Sequence, residues 1–243
     1  LKTIHGYLLE IDPSVDKGVE LSLFETGTYE KGILEVIRRY FDPKTTFVDV
    51  GANIGHISLF VSKNFPSANI LAFEPHPETF KILKRNIELN EVDNINCFEN
   101  GLGAESTEAT IYNNWEVNRG GASITVNTDG DKGHKIDIKA LDDVVTEERI
   151  GIIKIDVEGF EMEVLKGAQK IIKRDKPVLI IEVSDERSAG CTPREIYQMI
   201  VDFGGYEVYK LKGTKERVSK LIKISSIDEL PAHDNIICHP KGE

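Results

Sequence analysis

Along most of this chain, short runs rich in β-branched residues alternate with helical stretches, and this rhythm restricts the fold more than any other feature. Strands are expected at 46–50, 70–74, 95–98, 152–156 and 178–183, with helices at 56–64, 77–90, 158–174 and 193–203 between and after them. Neighbouring parallel strands can be joined only by a crossover, so this order predicts βαβ units and an α/β, doubly wound sheet. The helix at 77–90 opens with Pro77 and Glu78, which suit a helix start, and places Phe80, Leu83 and Ile87 on one face for packing against the sheet.

Before this core, strands are expected at 6–11 and 19–24, then a helix from about Tyr29 to Tyr40 ended by Asp42-Pro43. After it, 206–211 and 235–239 read as an antiparallel pair at the sheet edge. Residues 104–139 interrupt the alternation with Gly/Asn/Thr-rich sequence carrying strand-like pieces at 109–112, 123–126 and 135–138. An excursion of this kind at a ligand-binding rim is expected to cover the substrate. The chain has 243 residues, 40% of them hydrophobic, with no internal repeat or linker, so one domain is expected. It comprises an N-terminal part (1–44), a core (45–103 and 140–243) and the insertion (104–139).

The first βα turn is the favoured ligand site of such a sheet. Here it reads Asp49-Val50-Gly51-Ala52-Asn53-Ile54-Gly55, between a strand and a helix. A dinucleotide loop would need glycine at 53 and 56, where Asn53 and His56 stand, and the Gly-Lys-Ser/Thr of a phosphate loop is absent. Asp49, at the end of the strand, repels a pyrophosphate and welcomes a cation. S-adenosylmethionine carries an ammonium and a sulfonium and no phosphate, so it suits this turn. Glu74 ends the next strand, roughly 20 residues after the turn, the spacing at which an acid accepts hydrogen bonds from ribose hydroxyls. In "FENGLG", Asn100 and the backbone near Gly101 can serve an adenine edge or form a plain turn. In "IIKIDVEGFEMEVLKGA", Asp156 and Glu158 end the central strand, facing the reactive end of a bound ligand; Glu158 can also favour the next helix by its charge.

Together these residues resemble the FkbM family of S-adenosylmethionine-dependent methyltransferases. The matching pieces are Gly27-x-Tyr29-Glu30, "FVDVGANIGHISLF", "AFEPHPETFKILKRNIELN", "LDDVV", "IIKIDVEGFEMEVLKGA" and "PVLIIEV", in family order from about residue 24 to 184. The resemblance implies the class I methyltransferase fold, a Rossmann-like, mostly parallel seven-stranded sheet with one antiparallel strand near the edge, and usually O-methylation of a hydroxyl. It implies that Asp49, Gly51, Asn53 and Gly55 surround the methionine part of the cofactor and that Glu74 meets the ribose. Asn100 and Gly101 would lie near adenine and Asp156 near the transferable methyl; Glu30 and Pro75 complete the cofactor set. His56 and Gly101-Leu102 depart from the commoner family residues and bear on pocket shape.

Alcohol methylation needs a base for the acceptor proton, and Asp156 and Glu158 are the expected catalytic pair, with Glu30 and His134 as further candidates. No metal ligand set is expected, although a divalent cation on these acids that orients a diol stays open. Trp115 fits a lid over a sugar ring or a loop anchor, and Glu182 a substrate contact or a buried pair. A formal net charge of -11 and the lack of a basic, aromatic-laced stretch disfavour a nucleic-acid partner. The expected acceptor is a small molecule or carbohydrate hydroxyl; action on RNA or protein, or a non-catalytic nucleotide-binding module, stay open as alternatives. Cys97, Cys191 and Cys238 show neither disulfide nor zinc spacing, and no membrane span or leader is visible, so a cytoplasmic location is expected. The chain begins at Leu1, which leaves an upstream targeting or anchor segment open.

Overall fold

A computed structural model describes residues 1–112, 124, 133–185 and 190–242. Its core runs β1 (Thr46–Val50), α3 (His56–Asn64), β2 (Asn69–Phe73), α4 (Pro77–Leu89), β3 (Ile95–Phe98), β7 (Ile150–Ile155), α6 (Glu161–Gly167), α7 (Gln169–Asp175), β8 (Val178–Ser184), α8 (Pro193–Phe203), β9 (Tyr206–Leu211), β10 (Leu221–Lys223) and β11 (His233–Pro240). Ahead lie α1 (Val19–Thr26) and α2 (Lys31–Tyr40); between β3 and β7 lie β4 (Gly101–Leu102), β5 (Thr107–Ile111), β6 (His134–Lys139) and α5 (Leu141–Val144). Strands order as β10-β9-β11-β8-β7-β1-β2-β3, with β4-β6-β5 forming a separate small sheet.

Parallel pairing holds from β3 to β8, and β11 enters antiparallel between β8 and β9. This is the expected doubly wound order with one correction: the main sheet has eight strands, not seven. The eighth, β10, pairs antiparallel to β9 and forms the edge, so β11 is an interior strand. Every residue of β1 is buried, as expected for a central strand covered on both faces. Phe47, Ala72, Ile152 and Ile180 face the core under α1–α4, whereas Val48, Phe73, Ile153 and Ile181 face α6–α8.

Three further expectations are corrected. Residues 6–11 are extended but join no ladder: Asn90 Oδ1 accepts from Leu8 N (2.7 Å), Asn90 Nδ2 donates to Leu8 O (2.7 Å), and Asn86 Oδ1 accepts from Glu10 N (2.6 Å). On its other side the segment meets residues 1–3, with Leu9 N donating to Leu1 O (2.8 Å), Thr3 N to Tyr7 O (2.9 Å) and a single antiparallel bridge between Lys2 and Leu8, so Asn86 of α4 and Asn90 at its end serve only the outer edge, while Tyr7 and Leu9 alternate into the core. The stretch expected as a strand at 19–24 is helix α1, in which Glu20 and Leu23 are buried, a helical spacing, and Phe24 is exposed. Asp16 Oδ1 accepts from Gly18 N and Glu20 N at its start, a local alternative to a ladder. The single helix expected at 158–174 is a turn followed by α6 and α7, broken at Ala168. A Cβ on Gly167 would lie 1.8 Å from Gly103 O, so α6 ends where it presses on β4. Trp115 and most of 123–126 lie outside the described residues. Among the described residues, no helix is long and apolar enough to cross a membrane.

Candidate active site

Period-2 alternation puts Phe47 and Asp49 of β1, Ile152 and Lys154 of β7, and Ile180 and Glu182 of β8 on one face of the sheet. Each pair begins with an apolar core residue and ends with a charged one toward the carboxyl end of its strand. In register, Asp49 lies opposite Lys154. The result is a charged stripe across three strands, where loops from β1, β2 and β7 converge.

Asp49 is fully buried, and Ser58 of α3 donates its hydroxyl to Asp49 Oδ2 at 2.6 Å. Burial, only partly offset by Lys154 and the Ser58 bond, pushes its pKa up. Lys154, also buried, lies 3.0 Å from Asp156 Oδ2, one strand period away. Asp156, Glu30 and Asp49 outweigh the burial of Lys154 and keep it cationic. Asp156 is pulled well below the usual carboxylate range by Lys154 despite burial and stays an anion; its side chain is 24% exposed. Lys154 is a site residue that the motifs do not single out, and its one signal in the sequence is a lysine inside the apolar run "IIKIDV". Unpaired, either ion there would cost several kcal/mol, roughly 3–5.

Glu74 follows β2 directly. Its carboxylate accepts from Asn53 N (2.9 Å) and His76 N (2.9 Å), so it shapes the first turn from the second strand. Burial pushes its pKa up to about 7 against the pull of those two donors, with Asp49 and Asp156 adding to the rise. Pro75 lies half-buried beside it, and His76 caps α4. Asn100 is buried, its Nδ2 donating to Gly101 O at 2.8 Å. A Cβ on Gly101 would approach Ile138 Cδ1 to 2.6 Å, which ties β4 closely to β6.

The glycines of the turn serve the protein's own packing. Gly51, at φ 78°, has no room for a Cβ, which would sit 1.9 Å from Asp156 O. This glycine lets β1 approach the end of β7 closely. Gly55, at φ 91°, caps α3, and its missing Cβ makes room for Leu83 of α4. Glu30, Asn53 and Glu158 are three of the five non-glycine residues with positive φ among those described (51°, 50° and 47°). Such backbone costs of order 1 kcal/mol or more per residue and gathers at functional sites. Glu158 is exposed, two residues from Asp156, and lies two residues ahead of Phe160, the N-cap of α6.

Residues distant in sequence complete the stripe. Glu30, 1% exposed at the start of α2, lies 2.9 Å from Lys215 Nζ; the same Nζ lies 2.5 Å from Glu182 Oε1. Glu182 hydrogen-bonds Asp156, and burial together with that neighbour lifts its pKa well above the usual range. Glu182 is thus a member of a buried charged network. His134, expected as a surface residue or base, lies half-buried with its ring edge-on to His76, centroids 5.0 Å apart.

His56 is a strut. Its Nδ1 lies 2.8 Å from Tyr7 Oη and its Nε2 3.0 Å from Tyr29 O, which ties the N-terminal arm and the segment bearing Glu30 to the first turn of α3. Burial pushes its pKa down to about 4. A base depressed on folding leaves stability whole above its ordinary value of about 6.5 and subtracts as pH falls toward the folded value. We expect His56 ring resonances in long-range 15N NMR to stay those of the neutral imidazole on acidification to about pH 5. Titration near 6.5 would refute this.

Three buried acceptor atoms in the site, Asp49 Oδ1, Asn53 Oδ1 and Glu30 Oε2, have no hydrogen-bond donor among the described residues, while Glu30 Oε1 meets the Lys215 ammonium in an ion pair. Orphaned buried acceptors are rare in native proteins and call for a donor. A cationic ligand bearing N–H groups fits them; a phosphate does not.

The model of the methyltransferase FkbM domain matches residues 49–210. The chain belongs to the FkbM methyltransferase family. It is 33% identical over 150 residues to "Methyltransferase 1" of Beauveria bassiana, the match covering 52% of this chain and 59% of that one. With the hexuronic acid methyltransferase AglP of Haloferax volcanii it shares 26% identity over 176 residues, covering 70% of this chain and 67% of that one. The crystal structure of methyltransferase FkbM from Methylobacillus flagellatus superposes with a TM-score of 0.53 at 20% identity, covering 82% of this chain and 44% of that one, and supports the class I methyltransferase fold. The chain thus spans about 59% of the length of the Beauveria relative.

Proposed function

We propose that this chain is an S-adenosylmethionine-dependent O-methyltransferase acting on a hydroxyl of a small molecule or carbohydrate. The observation that carries the reading is the set of buried acceptors without a hydrogen-bond donor, Asp49 Oδ1 and Asn53 Oδ1 at the carboxyl end of β1 and Glu30 Oε2 at the start of α2. These residues would hold the methionine end of the cofactor, with Gly51 and Gly55 shaping the turn. Glu74 would hold the ribose; Pro75, Asn100 and Gly101 would flank adenine. When bound, the cofactor supplies an electrophilic methyl on a sulfonium.

The chain's own groups supply position and a path for the acceptor proton. Asp156, kept anionic by Lys154, would favour positive charge at the reacting end and orient the acceptor hydroxyl. Glu158, exposed on a strained turn two residues away, would receive its proton. The hexuronic acid named for the Haloferax relative supports a carbohydrate acceptor, and the insertion at 104–139 would cover it.

Two measurements test the reading. S-adenosylmethionine or its demethylated product should raise the melting temperature, and label from the methyl group should enter an alkali-stable ether of a sugar or small molecule in an extract. No shift with either ligand would sink it. Glu158→Ala should leave cofactor affinity unchanged and slow turnover on the labelled acceptor by about 100-fold or more, the usual scale of a lost general base; undiminished turnover would remove Glu158 from the mechanism.

A further inference from the structure

We propose that Lys215, carried to the site by the hairpin between β9 and β10, is a positioning residue that holds Glu30 aligned and charged for the cationic end of the cofactor. The inference rests on the methyltransferase reading above. The hairpin lies beyond the matched segment 49–210 and leads into the strand that makes the sheet eight-stranded. Nothing in the parallel core requires it.

Its seat on the start of α2 is closely fitted. Gly32 N donates to Lys215 O at 2.8 Å, and Glu30 N donates to Glu216 Oε2 at 3.1 Å. A Cβ on Gly32 would lie 2.7 Å from Leu211 Cδ1, 2.8 Å from Arg217 O and 3.0 Å from Lys215 O. Glycine costs up to about 1 kcal/mol against alanine inside a helix, so its presence in α2 marks this contact. The hairpin backbone therefore brackets Glu30 while Lys215 reaches its carboxylate.

The electrostatics give the contact a purpose. Lys215 Nζ lies 2.9 Å from Glu30 Oε1 and 2.5 Å from Glu182 Oε1, and 5.6 Å from the centre of the Tyr29 ring. Burial would lower its pKa, but Glu30, Glu182, Asp156 and Tyr29 together drive it far up, so it is a fixed cation. Lys215 balances the charge from the side of Oε1, and Glu30 Oε2, buried with no donor among the described residues, is left for a ligand. The titratable groups that face this cation are Glu30 and the neutral phenol of Tyr29 ahead of α2, Asp156 just after β7, Glu182 on β8 and Glu216 beside it on the hairpin. His233 on β11 lies 3.7 Å from Glu182 Oε1, and Lys154 pairs with Asp156. Without Lys215, Glu30 and Glu182 are two desolvated acids close together with no cation between them, an arrangement that favours uptake of a proton by the pair.

Calorimetric titration of the whole chain with S-adenosylmethionine and S-adenosylhomocysteine, from about pH 6.5 to 9, tests this. For Lys215→Met we expect affinity about tenfold or more below the parent at the acid end, with the ratio of the two shrinking at least about fivefold by the alkaline end as the acid pair gives up its proton. Lys215→Arg should restore the parent profile. Gly32→Ala, which keeps Lys215 but displaces its hairpin, should behave as Lys215→Met does, and it carries the comparison should Lys215→Met fail to fold. A Kd ratio that is the same at every pH, whether one or larger, would overturn the inference. Failure of the parent to bind either ligand would overturn the methyltransferase reading instead.

Discussion

Asp49→Ala is expected to weaken binding of S-adenosylmethionine and S-adenosylhomocysteine by about 30-fold or more, while the ligand-free protein keeps its fold. Removing one member of a buried, charge-assisted contact costs about 2–5 kcal/mol, and each 1.4 kcal/mol is tenfold in Kd. Asp49 is the acid with most to lose from this change, because one oxygen is held by Ser58 at 2.6 Å and the other is buried with no partner. The fold should tolerate the loss. Lys154, opposite Asp49 in register, keeps Asp156 at 3.0 Å, so no cation is stranded. What remains is one unmatched serine hydroxyl, of order 1–3 kcal/mol. Asp49→Asn retains an oxygen for Ser58 and loses the charge, so it should fall between parent and alanine. Titration calorimetry decides the matter: equal cofactor affinity in Asp49→Ala and the parent would remove Asp49 from the site.

Gly51→Ala should have the larger effect on stability, about 3 kcal/mol or more, seen as a melting temperature lowered by roughly 6–12 °C in a chain of this size. Two costs add. A non-glycine residue at φ 78° sits in the left-handed region, worth roughly 1–2 kcal/mol. The added Cβ would also meet the Asp156 carbonyl oxygen at 1.9 Å, and that atom is backbone at the end of a central strand. It can yield only if β1 and β7 part, and Asp156 N already donates to Val50 O across the same gap at 3.1 Å. Gly55→Ala is the control. It shares the positive φ, but its Cβ would meet the flexible tip of Leu83 at 2.7 Å, so its cost should be clearly smaller. A melting temperature for Gly51→Ala within about 2 °C of the parent would show that the strands yield there more easily than close packing allows.

The alternation of strand and helix, the glycine turn with its leading acid, and the acid after the second strand are all legible in the order of residues. These are local patterns, and burial on both faces of a parallel sheet leaves little freedom in where such strands go. The helix α3 (His56–Asn64), the strand β3 (Ile95–Phe98) and the helix α8 (Pro193–Phe203) lie where the sequence places them, since each is bounded by its own punctuation. At the N-terminus, local pattern misleads. Residues 6–11 alternate as a strand does, but how far an extended segment builds a ladder depends on what lies beside it, and here one side meets only the short stretch 1–3 in a single bridge and the other meets Asn86 and Asn90 at the end of α4. The segment at 19–24 carries both periods, and packing selects the helix.

The site divides in the same way. That the turn carries a carboxylate, and so favours a cation over a phosphate, is legible in the order of residues, because it is a matter of charge at Asp49. What the sequence does not determine is the counter-charge. Lys154 shares a strand face with Asp156 through simple period 2, yet Lys215, Glu30 and Glu182 come from a hairpin, a helix start and a strand end that meet only when the hairpin after β9 seats on the start of α2. Coulomb attraction acts through space while sequence order records only neighbours along the chain, so the charges that set the state of this site are decided by the tertiary fold alone.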